Sequence, residues 1–587
     1  MQNSIEKQRP KTSSKLTERF SACLQRPGAV FLLLFFLVFF RYAVFGFQYY
    51  PQLDDYIQYH NYSTGNPFLL IVQEGLLAAR PLAGILDVFF WGRFWGMMIL
   101  AVALISALWG ASALLFRRVL SRYFPLGFSF LLVYALLPLG MEGTYWLSAS
   151  TRIVCGMFFC ALSARLFQNF LDRGGAGRLL LLWFPVFILS LGFYEQTLVL
   201  SFALICLLSL FHVRESRRRA FCGALAIPAV VFYFVFTHLF ADSITYSARS
   251  TVILPVTNYY LKTFLPELIG QLRSVFLYGG WQTLARGFAR GFKLLFSAEA
   301  AWWYVPLLLV LCVCVYAAAA RTGGKLRFPE KRTGGASDGQ IALYGTAASQ
   351  MFWGAALAMI PLVPFFIIGT PWFSMRGAVP SFLGLACMAD TALRALCRLF
   401  GAHGRHVTAA LCAAGAFVFC CAAVSETADY KATFDNDQAI VSLLCEEDAA
   451  SALPGGKIGV LNLNPSYLEE QNYFYHEHIH GVTESAWVLE GAMTAYKNGS
   501  PKASWTPLPL SEDGTVWKAW NRESLRLSGF DRLYYLDVEE MRLITAFCEE
   551  TAEGEWTIRR EDGTPLLYIR EEGLCGLWST VPPEGRG

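Results

Sequence analysis

Apolar runs long enough to cross a bilayer recur along this chain from residue 30 to residue 424. A hydrocarbon core of ~30 Å takes about 20 apolar residues at 1.5 Å each. Lipid offers the backbone no hydrogen bonds, so each such run is expected to close its own bonds as a helix. Composition agrees with that constraint. Of 587 residues, 55% are hydrophobic and 16% are charged, whereas a soluble chain carries about 25% charged residues. The mean hydropathy is +0.41. The chain therefore reads as a polytopic α-helical membrane protein. Its net charge of +4 is small, and no nucleic-acid partner is expected.

The distribution of charge sets the topology. Residues 1–27 form a basic tail (Lys7, Arg9, Lys11, Lys15, Arg19) without a small-residue cleavage site, so the first span reads as a retained anchor. A basic tail stays cytoplasmic. The first span then covers about residues 30–47, and the residues after it face outward. Further spans are expected near residues 94–116, 125–141 and 153–170. The apolar run at residues 179–211, about 33 residues, would make roughly 50 Å of helix and is too long for one crossing. Two spans turning at Tyr194-Glu195-Gln196 fit better, and they land on Arg214, Arg217, Arg218 and Arg219 as an inner loop. Spans near residues 221–240, 302–320, 352–368, 379–396 and 408–424 complete a helical domain at 28–424 with about 11 transmembrane helices. Its long outer loops are expected at 48–93 and 242–301, the first as short interfacial helices.

From residue 425 the composition turns soluble, with frequent Asp, Glu and Asn. Short β-like runs occur at residues 457–461 and 533–536. A hairpin with an Asp562-Gly563 turn is expected at 556–569. Helical character appears at 443–452 and 485–496. Residues 425–587 are thus expected to form an extracytoplasmic α/β domain. Most cysteines sit in apolar segments and act as small hydrophobes. Cys445, Cys548 and Cys575 allow one disulfide, but their odd number and scattered spacing argue against a disulfide framework.

Ionisable residues stand at the outward ends of the expected spans: Asp54, Asp55, Arg80, Glu142, Arg152, Glu195 and Arg376. Nothing about spanning a bilayer calls for the adjacent carboxylates Asp54 and Asp55. They are either a solvated loop or an acid/base site where a lipid-borne substrate surfaces. Glu195 is a solvated turn, or it is buried and needs a cation or a hydrogen-bond network. Arg80 and Arg376 are interfacial anchors, or guanidinium forks for a phosphate. In the last domain, His476, His478 and His480 alternate and would share one strand face. A polar strand is the simpler reading, because no fourth zinc ligand is in view. The sequons at Asn61 and Asn498 have the right form for glycosylation, but such short matches arise by chance.

Leu53-Asp54-Asp55-Tyr56, just after the first span, resembles the acidic first-loop motif of the GT-C glycosyltransferases. Ala79-Arg80-Pro81-Leu82 and Phe193-Tyr194-Glu195-Gln196-Thr197 look like those of bacterial polytopic glucosyltransferases that decorate surface polysaccharide. The resemblance covers about residues 28–240 and does not reach the last domain. It implies transfer of a sugar from a polyprenyl-phosphate donor to a glycan or glycolipid acceptor, at the outer face of the cell membrane. One of Asp54 and Asp55 would be the general base, its pKa raised by its neighbour. Arg80 and Arg376 would stabilise the departing phosphate. Glu195 joins the catalytic set, and Tyr56, Tyr194, Gln196, Glu142 and Arg152 would line the substrate. A divalent cation could be shared by Asp54 and Glu195, though no ligand cluster demands one. A transporter or flippase of lipid-linked saccharide, or a polysaccharide polymerase or ligase, would meet the same substrate. The unequal halves of the chain favour an enzyme over a transporter.

Overall fold

A computed structural model describes residues 26–73, 76–240, 253–255, 257–322, 346–368, 373–450, 453–463, 481–509, 527–552, 555–572 and 577–580. The chain divides into two compact units. One comprises Met1–Gln48, Val72–Ile85 and Met98–Glu426, and the other Tyr49–Ile71, Leu86–Met97 and Thr427–Gly587.

The protein is mostly helical, and eight helices among the described residues are long and apolar enough to cross a membrane. Three shorter apolar helices, Pro27–Phe40, Phe128–Gly140 and Gly177–Leu191, fall where spans are also expected. Each is short for a definable reason. The first helix ends at Phe40 rather than near residue 47, because residues 41–48 turn, with Gly46 at φ +103°. The third expected span stops as α-helix at Leu136, and Pro138 allows only a 3₁₀ turn over Pro138–Gly140. The apolar run at 179–211 is two helices, Gly177–Leu191 and Glu195–His212, as its length requires. Tyr194 caps the second in an extended conformation.

The segment expected as an outer loop at 242–301 is different. Its described part is helical from Tyr260–Phe264 through Gly287–Leu294, with several π-turns. Lys262, Glu267, Arg273, Arg286 and Arg290 lower its hydropathy below that of a span without disturbing the helical period.

Helix packing in this unit uses small residues. Helix Ala347–Met359 packs on helix Phe382–Arg398. There a Cβ on Gly384 would lie 2.2 Å from the Ala358 nitrogen and the Gly354 oxygen, so only glycine permits the approach. At the basic ends of the helices, Arg122 bridges Asp172 at 2.5 Å and Glu215 at 3.4 Å. Buried His212 reaches Glu215 at 2.9 Å. That end is closed by protein partners.

The last of these candidate spans, helix Gly404–Ala450, has 47 residues, roughly 70 Å at 1.5 Å each and more than twice what a bilayer needs. The expected change of character at 425 falls inside it, as a change from apolar residues to buried carboxylates: Glu426, Asp429, Asp437 and Asp448. The expected helical stretch at 443–452 is its last turns.

Among the described residues of the second unit, a seven-stranded sheet has the order β2-β1-β3-β4-β5-β6-β7. Its strands are β1 Lys457–Leu461, β2 Ser504–Leu508, β3 Arg532–Asp537, β4 Arg542–Ala552, β5 Glu555–Arg559, β6 Pro565–Glu572 and β7 Leu577–Thr580. β1 pairs in parallel with β2 and β3, and the rest is an antiparallel meander. The β5–β6 hairpin turns at Asp562 and Gly563, where Gly563 has φ +81° and Asp562 accepts from the Thr564 amide at 2.9 Å. Helix Ala486–Lys497 packs on β2 and ends at Asn498 in the left-handed conformation, which asparagine tolerates. The sequon asparagine at 498 is therefore a helix cap. Leu461, Leu533, Trp556 and Ile558 lie in the sheet's core.

Asp448 ties the long helix to this sheet. Its fully buried carboxylate accepts from Lys497 Nζ at 2.5 Å, from the Lys502 and Ala503 amides, and from Trp505 Nε1 at 3.0 Å. Burial pushes its carboxyl up, but the bonds from Lys497, Lys502, Trp505 and Ala503 outweigh it and hold it at about 2, against an ordinary 3.8. A depressed carboxyl stabilises fully above the unfolded pKa and loses that contribution as pH falls through the folded one. Asp448→Ala, which strands the Lys497 ammonium and three donors, should cost about 3–5 kcal/mol in denaturant unfolding of the full-length protein. The variant should also lose part of the wild type's decline in stability between roughly pH 4 and pH 2. A cost below about 1 kcal/mol would contradict this role.

Candidate functional site

In the helical unit, Pro81 holds Arg80 outside helix Pro81–Phe89, because the residue before proline avoids the helical region. The first free amides of that helix, Leu82 and Ala83, donate to the Gly192 carbonyl at 3.0 and 3.4 Å. That docks the Arg80-Pro81-Leu82 segment against the break between helices Gly177–Leu191 and Glu195–His212. Arg80 then meets Glu195 across 115 residues of sequence: Nε lies 3.0 and 3.2 Å from the two carboxylate oxygens, and Nη2 lies 3.0 Å from Oε2. The guanidinium also sits 4.4 Å from the Tyr194 ring centroid. Glu195 opens its helix, where the macrodipole favours a negative charge. Glu195 is therefore neither buried nor freely solvated: it is paired with Arg80, and the two side chains keep about a third of their surface exposed (31% and 32%).

The next residue continues the chain of contacts. Buried Gln196 donates to the Gly377 carbonyl at 2.9 Å. Adjacent Arg376 places its guanidinium 5.4 Å from the Trp146 ring. The turn carrying Trp146 approaches this segment closely, and a Cβ on Gly143 would lie 2.7 Å from Val379 and 3.4 Å from the Arg376 Cα. Glu142 in the same turn is fully buried, and Arg152 lies further along, half-buried on helix Leu147–Asp172. The structure thus gathers Arg80, Tyr194, Glu195, Gln196 and Arg376 with the turn that holds Glu142. A protein carboxylate occupies the Nε–Nη2 edge of Arg80.

Asp54, Asp55 and Tyr56 belong to the second unit. Leu53 sits at φ +42°, a conformation that costs a γ-branched residue on the order of 1 kcal/mol or more. Past this strained residue the two carboxylates diverge. Asp55 is fully buried and accepts from the Tyr49 hydroxyl at 2.5 Å and the Gln52 amide at 3.1 Å. Gln52 in turn donates to the Tyr430 carbonyl at 2.9 Å. Asp54 is half-buried, so part of it meets solvent. The Tyr56 hydroxyl accepts from Gln438 at 3.2 Å. Burial, reinforced by Asp437 and Asp55, pushes that phenol well above its ordinary value, so it stays neutral.

Arg41 is among the buried charges that escape the sequence reading. Arg41 lies inside the expected first span and is buried, with Nη2 donating to the Tyr42 hydroxyl at 2.6 Å and to Thr144 Oγ1 at 3.0 Å. Its signal is an ionisable residue between Phe40 and Tyr42 in an apolar run. The alternating histidines at 476, 478 and 480, and Trp372 near Arg376, lie outside the described residues. Among the described residues no group of three or more His, Cys, Asp or Glu could hold a metal ion.

A scan against protein-family models found no match, and a search of curated proteins found none either.

The Arg80–Glu195 pair is bidentate but partly exposed, so its coupling is expected to be modest. A double-mutant cycle with Arg80→Ala and Glu195→Ala, read by thermal unfolding in detergent, should give about 1 kcal/mol of coupling. A value indistinguishable from zero would mean that the two segments are held together by backbone contacts alone.

Proposed function

We propose that this protein is a membrane glycosyltransferase of the cell envelope, taking a sugar from a polyprenyl-phosphate donor to a glycan or glycolipid acceptor. In this reading the chain crosses the plasma membrane about eleven times, with its N-terminus cytoplasmic and its C-terminal domain outside. The observation that carries it is the divergence of Asp54 and Asp55. Asp55 is locked by Tyr49 and Gln52, while Asp54, next to the strained Leu53, is half-buried and meets solvent. Adjacent carboxylates in unlike surroundings suit unlike tasks. Asp54 is the candidate base and Asp55 the group that positions it.

The chemistry is a substitution at the anomeric carbon. The acceptor hydroxyl gives its proton to Asp54 as its oxygen bonds the sugar, and the bond from sugar to phosphate breaks with both electrons leaving on the phosphate oxygen. A cation near that oxygen lowers the barrier.

Removing a general base costs about 10²–10⁴-fold in rate. With purified protein in proteoliposomes, Asp54→Asn should lower kcat for sugar transfer by about 100-fold or more, with KM little changed. Asp55→Asn should also lower the melting temperature, because a buried acceptor of two hydrogen bonds is weakened. Transfer by Asp54→Asn within about threefold of wild type would remove Asp54 as the base. A wild type that moves lipid-linked sugar between leaflets without cleaving it would make the protein a transporter.

A further inference from the structure

Between residues 258 and 294 the chain is helical without a break, roughly 50 Å long, yet it is not one of the apolar candidate spans. Its two ends dock beside the exits of two spans. Near the start, the Tyr260 hydroxyl donates to the Phe366 carbonyl at 3.1 Å and the Ile253 amide to the Ile367 carbonyl at 2.9 Å, at the far end of span Ala347–Phe366. Past the end, the Ala301 amide donates to the Val44 carbonyl at 2.8 Å, beyond helix Pro27–Phe40. The sequence places both of those exits on one side of the membrane. A helix this long that starts and finishes on one face runs along it.

Its winding gives each flank one character. Buried residues recur at every fourth position from Val275 through Gly279, Thr283, Gly287 and Gly291 to Leu295. In a plain α-helix residues four apart drift by about 40° per step. The π-turns at Ser274–Gly279 and Gln282–Arg286 hold more residues per turn and reduce that drift. The position after each buried residue reads Phe276, Gly280, Leu284, Phe288, Phe292 and Phe296. The position before it reads Ser274, Tyr278, Gln282, Arg286, Arg290 and Leu294. Buried Leu268 likewise stands between Glu267 and Ile269. One flank is apolar and the other mostly polar.

The crossing with helix Gly404–Ala450 fixes where each flank points. Gly291 sits on that helix, and a Cβ there would overlap the Cys421 carbonyl. On one side of the contact Arg290 Nη1 donates to Ser425 Oγ at 3.2 Å. On the other the Phe292 ring lies 6.3 Å from the Phe417 ring. The apolar flank therefore points back along the apolar stretch of helix Gly404–Ala450, and the polar flank points out of it. Cys421 lies about 26 Å along that helix from its start, near the far edge of a ~30 Å hydrocarbon core. Leu261, Ile269 and Phe296 on the apolar flank are more than half exposed, and Trp281 is 69% exposed. Indole rings favour that boundary.

We propose that helix 258–294 lies flat in the membrane interface, with Leu261, Ile269, Phe292 and Phe296 among the acyl chains of the leaflet opposite the start of helix Gly404–Ala450. Glu267, Arg286 and Arg290 lie on its headgroup side. Lipid then covers the apolar flank, protein the buried stripe and the polar boundary the rest, which is the arrangement an amphipathic interfacial helix requires. The placement does not rest on the sugar-transfer reading.

The test is photocrosslinking of the full-length protein in nanodiscs of phosphatidylcholine and phosphatidylglycerol. A benzophenone amino acid replaces one residue at a time, and lipid adducts are read by mass spectrometry. Ile269 and Phe296 sample the apolar flank, and Glu267 and Arg286 the polar one. Leu309, 52% exposed on span Tyr304–Arg321, gives the reference yield within the hydrocarbon. Acyl-chain adducts at Ile269 and Phe296 should exceed those at Glu267 and Arg286 at least about fivefold. Two positions on each flank let the result stand if one variant fails to fold. Equal yields on the two flanks, or acyl adducts at neither Ile269 nor Phe296, would overturn the placement. So would adducts at Ile269 and Phe296 to a second copy of this chain in place of lipid.

Discussion

A charged side chain among apolar helices must find a partner, and the forked bond between Arg80 and Glu195 is how this protein meets that demand at one end of its helical unit. The pair also shapes its neighbourhood. It joins the segment before helix Pro81–Phe89 to the break that opens helix Glu195–His212, alongside the Leu82 and Ala83 amides on Gly192. With that helix start fixed, Gln196 reaches the Gly377 carbonyl, and Arg376 stands over Trp146. The polar residues of several distant segments are thereby gathered by backbone docking first and by charge second. The opposite, basic ends show the same logic in a different form, with Arg122 between Asp172 and Glu215.

The second unit treats its acidic residues differently. Asp448 and Asp55 are buried acceptors with several donors each, and they organise backbone around themselves. Asp54 succeeds a residue in a strained conformation and keeps contact with solvent. A neutral Tyr56 beside them supplies a hydroxyl without adding charge. Such a contrast between neighbouring carboxylates is the property a base needs: one group held still, the other able to accept a proton.

Much of the helical architecture is legible in hydropathy and helix length alone. Roughly 50 Å of apolar run cannot be one crossing, and the break duly falls at residues 192–194. Strand periodicity and the Asp562-Gly563 turn likewise place β1, β3 and the β5–β6 hairpin. The hidden parts depend on long-range contacts or on mixed composition. No local pattern says that Arg80 bonds Glu195 115 residues away, or that Tyr49–Ile71 belongs with Thr427–Gly587. Charges disguise the helices between residues 260 and 294, and a change from apolar to acidic residues disguises helix Gly404–Ala450. Arg41 escapes notice because one charge hardly alters the average of an apolar window, although its burial makes it chemically conspicuous.

Sugar transfer requires that the bond between sugar and phosphate break on this protein. The direct measurement is mass spectrometry of the lipid after incubating reconstituted wild-type protein with a polyprenyl-phosphate sugar and a glycan acceptor. Free polyprenyl phosphate and glycosylated acceptor should appear in equal amounts. Recovery of the intact sugar-bearing lipid, with no polyprenyl phosphate formed, would contradict sugar transfer.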